Sequence, residues 1–251
     1  MKTMARLVLV AVWAALSVGQ AYAQTADEVI EKHLAAMGGR SALTKLQSRV
    51  TTGTVTIATQ GVELSGSLEI YLKAPNKSRS VIKLDLTTLG GGVMIIDQRC
   101  DGQTAYAINS MQGDREITGN PLENMLNATF PTPLLRYKEA GIKAELVGKD
   151  KVGSRDAYVL LVTPKAGSAS RQFYDAESYL LLRVVMRINT PELGGEIEQT
   201  SDMSDYRDVD GVKVPFQVSV VNPIQTVTMK LTTVENNKPL DDAMFARPSA
   251  K

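Results

Sequence analysis

The sequence holds a single cysteine, Cys100, and a single histidine, His33, in 251 residues. One cysteine excludes an intrachain disulfide, so stability has to come from a packed core, which a chain of this length can build. One histidine leaves a Ser/His/Asp triad or a histidine-rich metal centre short of parts. Aromatic residues make up only 5%, too few for the two girdles of an outer-membrane barrel. Lysines and arginines form no cluster and the net charge is +1. That balance argues against nucleic acid or an anionic membrane surface as partner. Beyond the first residues, no apolar run approaches the roughly 18 residues that a membrane-spanning helix needs.

Familiar chemical motifs are missing too. Gly90-Gly91-Gly92 and Gly194-Gly195 follow neither phosphate-loop spacing and open no predicted helix, so they read as turns or bulges. Asp202, Asp205, Asp208 and Asp210 are the densest acidic group, but they lack the spacing of a calcium loop and read as a solvated turn. Cys100, at the end of an apolar run, reads as a half-buried strand residue. The expectation is a binding protein that is not an enzyme, with no cofactor and no metal.

What is present begins with an export signal. Lys2 and Arg6 supply positive charge, Leu7 to Val18 is almost unbroken apolar sequence, and Ala21-Tyr22-Ala23 is a cleavage site before Gln24. No cysteine follows to accept a lipid. Residues 1–23 are thus expected to be a cleaved signal peptide and 24–251 a single domain, free in the periplasm and monomeric. Removing two positive charges takes the net charge from +1 to −1.

Residues 25–48 predict helix, with Thr25 or Asp27 capping and Ile30, Leu34 and Met37 on one face. Gly38-Gly39 stops it, and a second short helix carries Leu43 and Leu46. From Val50 to Ile117 the period is two. Leu64, Gly66, Leu68, Ile70 and Leu72 alternate with polar residues, as do Ile82, Leu84 and Leu86 after the Ala74-Pro75-Asn76-Lys77 turn. Asp101-Gly102 marks a hairpin. Between 119 and 141 the rhythm breaks: Asn120-Pro121 and Thr132-Pro133 each place a capping residue before a first-turn proline. Two short apolar-faced helices there serve either as a lid or as ordinary core cover. Strands resume at Ala144 and continue to about Val234. Tyr158 to Val162 and Tyr179 to Met186 are apolar on both faces apart from Arg183, so both of their faces must be covered. Together these features predict a mainly β protein of the α+β class, one curved antiparallel sheet with helices in its hollow.

The order of phrases carries a resemblance. Leu46-Gln47-Ser48, Gly66-Ser67-Leu68-Glu69-Ile70-Tyr71, Lys73 to Lys77 and Asp101 to Tyr106 lead the series. Gly153 to Tyr158, Phe173 to Glu177, Ser204 to Gly211 and Val214-Pro215 complete it. In this the chain resembles the periplasmic outer-membrane lipoprotein-sorting proteins, the lipoprotein carriers. The resemblance implies a half-open barrel of about eleven strands with helices over its concave side. It also implies a hollow that takes lipoprotein acyl chains or another apolar ligand. The expected lining is Leu68, Ile70, Leu72, Ile82, Leu84 and Leu86, with Leu122, Met125 and Leu126 from the lid. An envelope protein-interaction or stress-sensing module on the same fold is the alternative.

Overall fold

The computed structural model describes residues 24–190 and 195–247; the expected signal peptide lies outside them. Two helices open the described residues, α1 (Ala26–Ala36) and α2 (Arg40–Leu43). Six strands follow: β1 (Ser48–Thr59), β2 (Val62–Lys73), β3 (Lys77–Asp85), β4 (Val93–Cys100), β5 (Ala105–Asn109) and β6 (Gly113–Ile117). Helix α3 (Gly119–Asn127) and a 3₁₀ turn (Pro133–Arg136) come next. Seven more strands complete the sheet: β7 (Lys143–Val152), β8 (Arg155–Thr163), β9 (Ser170–Asp175), β10 (Leu181–Thr190), β11 (Gly195–Val209), β12 (Val212–Val221) and β13 (Gln225–Asn236).

All thirteen strands lie in one antiparallel sheet, two more than the expected eleven. The order is β6-β5-β4-β3-β2-β1-β13-β12-β11-β10-β9-β8-β7. The first and last strands therefore pair in the middle, β1 with β13, while β6 and β7 are the edge strands among the described residues. Residues 118–142 connect those edges, which puts α3 and the 3₁₀ turn across the mouth of an unclosed barrel.

Helix α1 forms where sequence predicts it. Thr25 and Glu28 make a reciprocal capping box, and Val29, Ile30 and Leu34 are fully buried. They pack with Leu160 and Val162 of β8, Tyr174 of β9, Val212 of β12, and Phe130, Leu134 and Tyr137 of the edge-to-edge segment. The chain passes from α1 to α2 under a tight constraint. Gly38 has φ +122°, and a Cβ there would meet the Gly211 carbonyl oxygen at 2.3 Å. Next to it, the Lys213 amide donates to the Met37 carbonyl at 3.0 Å.

One expected cap is corrected. Asn120 does not cap a helix; α3 starts two residues earlier than expected, at Gly119, with Thr118 at the cap position and no side-chain cap bond. Pro121 is tolerated inside the first turn because amides there have no intrahelical partner. Thr132 caps as expected, its hydroxyl accepting from the Leu134 amide.

The outer face is held by ion pairs and by the C-terminal segment. Asp97 accepts from both Arg79 and Arg99 at 2.7–3.2 Å. Burial alone would raise its pKa, but the two guanidiniums outweigh that and hold the carboxyl below its ordinary value. Lys73 and Lys77 both bind Asp242 at 2.8 Å. Phe245 is fully buried and Arg99 donates to the Ala246 carbonyl. The doubly apolar strand β8 is explained by two clusters. Leu160 and Val162 face the helices, whereas Ala157 and Val159 join Phe173, Leu182 and Val185 on the other side. That outer cluster shares its face with the Arg155–Asp175 and Arg183–Asp202 pairs, whose long side chains can lie along apolar surface.

Candidate functional site

Directly opposed residues of paired strands point to the same face of a sheet, so the strand registers read out the inward face row by row. One row runs Val218, Met229, Val55, Gly66, Leu84 and Met94. Next, toward the helices, come Leu231, Gly53, Leu68, Ile82 and Ile96, then Val234, Thr51, Ile70, Ser80 and Gln98. Beneath the helical end lie Asn236, Arg49, Leu72, Ser78 and Cys100. The face thus grades from apolar at one end to polar and cationic at the other, about 20 Å along β1.

Five of the six positions expected to line a hollow share this face by register, and Leu86, just past the end of β3, packs with them, but they do not have the same surroundings. Leu68 and Leu84 are each 1% exposed and, with Val55 and Leu86, form the buried base of the floor. Ile70 and Ile82 are half-buried and pack against that base, together with Met94, Ile96, Val227, Met229 and Leu231. Leu72 packs instead into the helix-covered cluster. The expected lining missed Met94, Ile96, Val227 and Met229. Val227 and Met229 alternate as visibly in sequence as Ile82 and Leu84, while Met94 and Ile96 sit in a run apolar on both faces.

Leu122, Met125 and Leu126 of α3 are half-buried, and α3 has no buried residue. None of the three packs against the buried clusters. The polar side of α3 does the anchoring. Asn124 accepts from the Ser168 amide at 2.8 Å, and Asn127 donates to the Ala166 carbonyl at 2.7 Å. At its C-terminal end the Leu126 carbonyl accepts weakly from Asn76 in the β2–β3 turn. Helix α3 is therefore strapped at both sides of the mouth by hydrogen bonds, with its apolar residues Leu122, Met125 and Leu126 only half-buried.

After α3 the chain returns over the helical end. The Phe130 amide donates to the Pro75 carbonyl at 2.7 Å, and a cavity of about 530 Å³ opens between this segment and the start of the sheet. Leu46, Ala74, Phe130, Pro131, Leu135 and Ile142 give it mostly apolar walls. Arg49 lies against the same phenyl ring, its guanidinium carbon 5.4 Å from the Phe130 centroid. Its Nε donates to Asn236 at 2.9 Å, but its buried Nη2 has no hydrogen-bond partner among the described residues. Burial pushes this guanidinium down to about 10, with Asp210 opposing the shift. An arginine two residues into a strand gave no sequence signal; only the register places it under the cover.

Other chemistry-bearing residues are structurally engaged. His33 is buried on α1, its Nδ1 2.9 Å from the Tyr179 carbonyl and its ring edge-on to Tyr174; burial lowers its pKa. Cys100 is fully buried, not half-buried as expected, and burial raises its pKa, which makes it a poor nucleophile. Asp202 pairs with Arg183, Asp205 with Arg207, and Asp208 accepts from the Gly211 amide. No group of acidic, histidine or cysteine side chains suited to a metal occurs among the described residues. No helix among them is long and apolar enough to cross a membrane.

No family model matches the sequence, and no curated protein does. Solved structures do match, at low identity. A LolA superfamily protein of Nitrosomonas europaea is 13% identical with a TM-score of 0.57, covering 90% of this chain and 99% of its own. A DUF1329 family protein of Desulfovibrio piger is 17% identical at 0.58, covering 88% and 97%. An outer membrane lipoprotein-sorting protein domain of Vibrio parahaemolyticus is 10% identical at 0.58, covering 87% and 94%. With one curved, unclosed antiparallel sheet and short helices across its concave side, the chain has the fold of the LolA superfamily and the lipoprotein-sorting proteins.

Proposed function

We propose that this is an exported, periplasmic binding or carrier protein that shields an acyl chain without acting on it chemically. The chain would come from a lipidated protein, a free lipid or another apolar molecule. One observation carries the reading: a continuous inward floor on which Ile70, Ile82, Met94, Ile96, Val227 and Met229 pack against the buried cluster yet stay only half-buried. Helix α3 lies across the mouth with its own apolar residues only half-buried. Buried core normally closes over such side chains, so an open layer this extensive suits an occupant. Roughly 0.8 kcal/mol is gained per methylene removed from water, so about twelve methylenes yield on the order of 10 kcal/mol before the costs of association. Reversible loading and release fit within that range. The shared fold of lipoprotein-sorting proteins supports the same assignment.

An environment-sensitive apolar fluorophore should bind saturably at one site per chain and be displaced by long-chain acyl compounds. A fluorescence signal that rises linearly without saturation, or one that acyl compounds do not displace, contradicts the proposal.

A further inference from the structure

We propose that the helix-covered end of the hollow is a subsite for an anionic head, a carboxylate or phosphate carried on an acyl chain and received by Arg49. The inference rests on the carrier reading above and adds the polarity and orientation of the ligand. Three observations support it. The Arg49 guanidinium is held at Nε by Asn236 and faces the Phe130 ring, yet its buried Nη2 has no partner among the described residues. Buried donors are nearly always satisfied, and a cation under cover without an anion is costly. The acid nearest to it in electrostatic effect, Asp210, accepts instead from the Asn236 amide at 3.2 Å.

The surroundings are graded in the sense an amphiphile requires. Uncharged polar groups, Ser78 in the same row and Thr51, Ser80 and Gln98 in the next, separate Arg49 from the apolar rows. From Arg49 to Val55 the strand covers about 20 Å, enough for the head at one end and much of a long acyl chain beside it. Phe130 both lines the cavity and covers the guanidinium, so this one ring stands between the cavity wall and Arg49. A guanidinium fork suits a carboxylate or a phosphate, each accepting two parallel N–H bonds.

The test compares a long-chain fatty acid with its methyl ester, below their aggregation concentrations, on the wild-type protein, Arg49→Met and Arg49→Lys. The wild type is expected to bind the acid about tenfold or more tightly than the ester, a difference of about 1.4 kcal/mol. Arg49→Met should bind both as the wild type binds the ester, and Arg49→Lys should keep part of the preference. A lysophosphatidic acid of the same chain length distinguishes phosphate from carboxylate, and inorganic phosphate alone should not compete. Equal binding of acid and ester by the wild type overturns the subsite and leaves the carrier reading intact. If neither binds, the carrier reading itself fails. Circular dichroism of each variant separates loss of binding from loss of fold.

Discussion

Replacing Met229 by glutamate is expected to weaken binding of an apolar ligand tenfold or more while the protein stays folded. Met229 lies on β13 in the floor row between Val218 and Val55, half-buried over the packed base. In the empty protein a carboxylate there keeps part of its hydration, because the hollow is open above it. An acyl chain laid over the row strips that water, and leaving a charge uncompensated in apolar surroundings costs several kcal/mol unless the chain is excluded. A loss of only about 1.4 kcal/mol already lowers affinity tenfold. The matched control is Val147→Glu: Val147 is 53% exposed on edge strand β7, and the same change there should leave affinity unaltered. Equal loss in both variants would point to a general charge effect and not to the floor.

The second large effect falls on stability. Gly66 belongs to the same row, and a Cβ at this position would lie 1.9 Å from the Lys83 carbonyl oxygen and 3.0 Å from the Leu84 Cα. Both obstacles are backbone of the neighbouring strand β3, so no side chain can step aside. Gly66→Val must therefore pry β2 from β3. The expected cost is about 3 kcal/mol or more, a fall in Tm of roughly 6–12 °C for a domain of this size. Gly92→Ala provides the contrast, since nothing lies within 4 Å of the added Cβ. Its melting temperature should change by no more than about 2 °C. A Gly66→Val protein as stable as Gly92→Ala would show that the strands are not packed as described.

Much of this architecture was legible from periodicity. The alternation of Leu68, Ile70 and Leu72 with polar neighbours fixes a wet and a dry face, and opposed registers put Ile82 and Leu84 on the same side. The interruption at 119–141 was visible because two prolines and two apolar helix faces break a strand rhythm. Whether it was lid or core cover was not visible, and the structure divides the answer. Leu134 and Tyr137 are core, whereas Leu122, Met125 and Leu126 are not buried.

Long-range pairing is what a local pattern cannot carry. Nothing in β1 announces that it pairs with β13, nearly the whole domain away, or that Arg49 sits opposite Asn236. Local sequence made Arg49 an ordinary polar strand start; tertiary packing turned it into a covered cation with an open donor. Burial depth was equally hidden. Leu68 and Leu84 share the parity of Ile70 and Ile82, yet two close into the base and two remain open.

The central claim is that the inward floor and α3 enclose an acyl chain, and photochemical mapping tests it most directly. A fatty acid bearing a photoreactive diazirine near its chain end is bound, irradiated and located by peptide mass spectrometry. The account predicts saturable adducts on β1, β2, β4 and β13 at inward positions such as Ile57, Met94 and Met229, together with Leu122 or Met125 of α3. Adducts confined to the exposed rim residues Leu89, Val93 and Met111, or no saturable adduct at all, would contradict it.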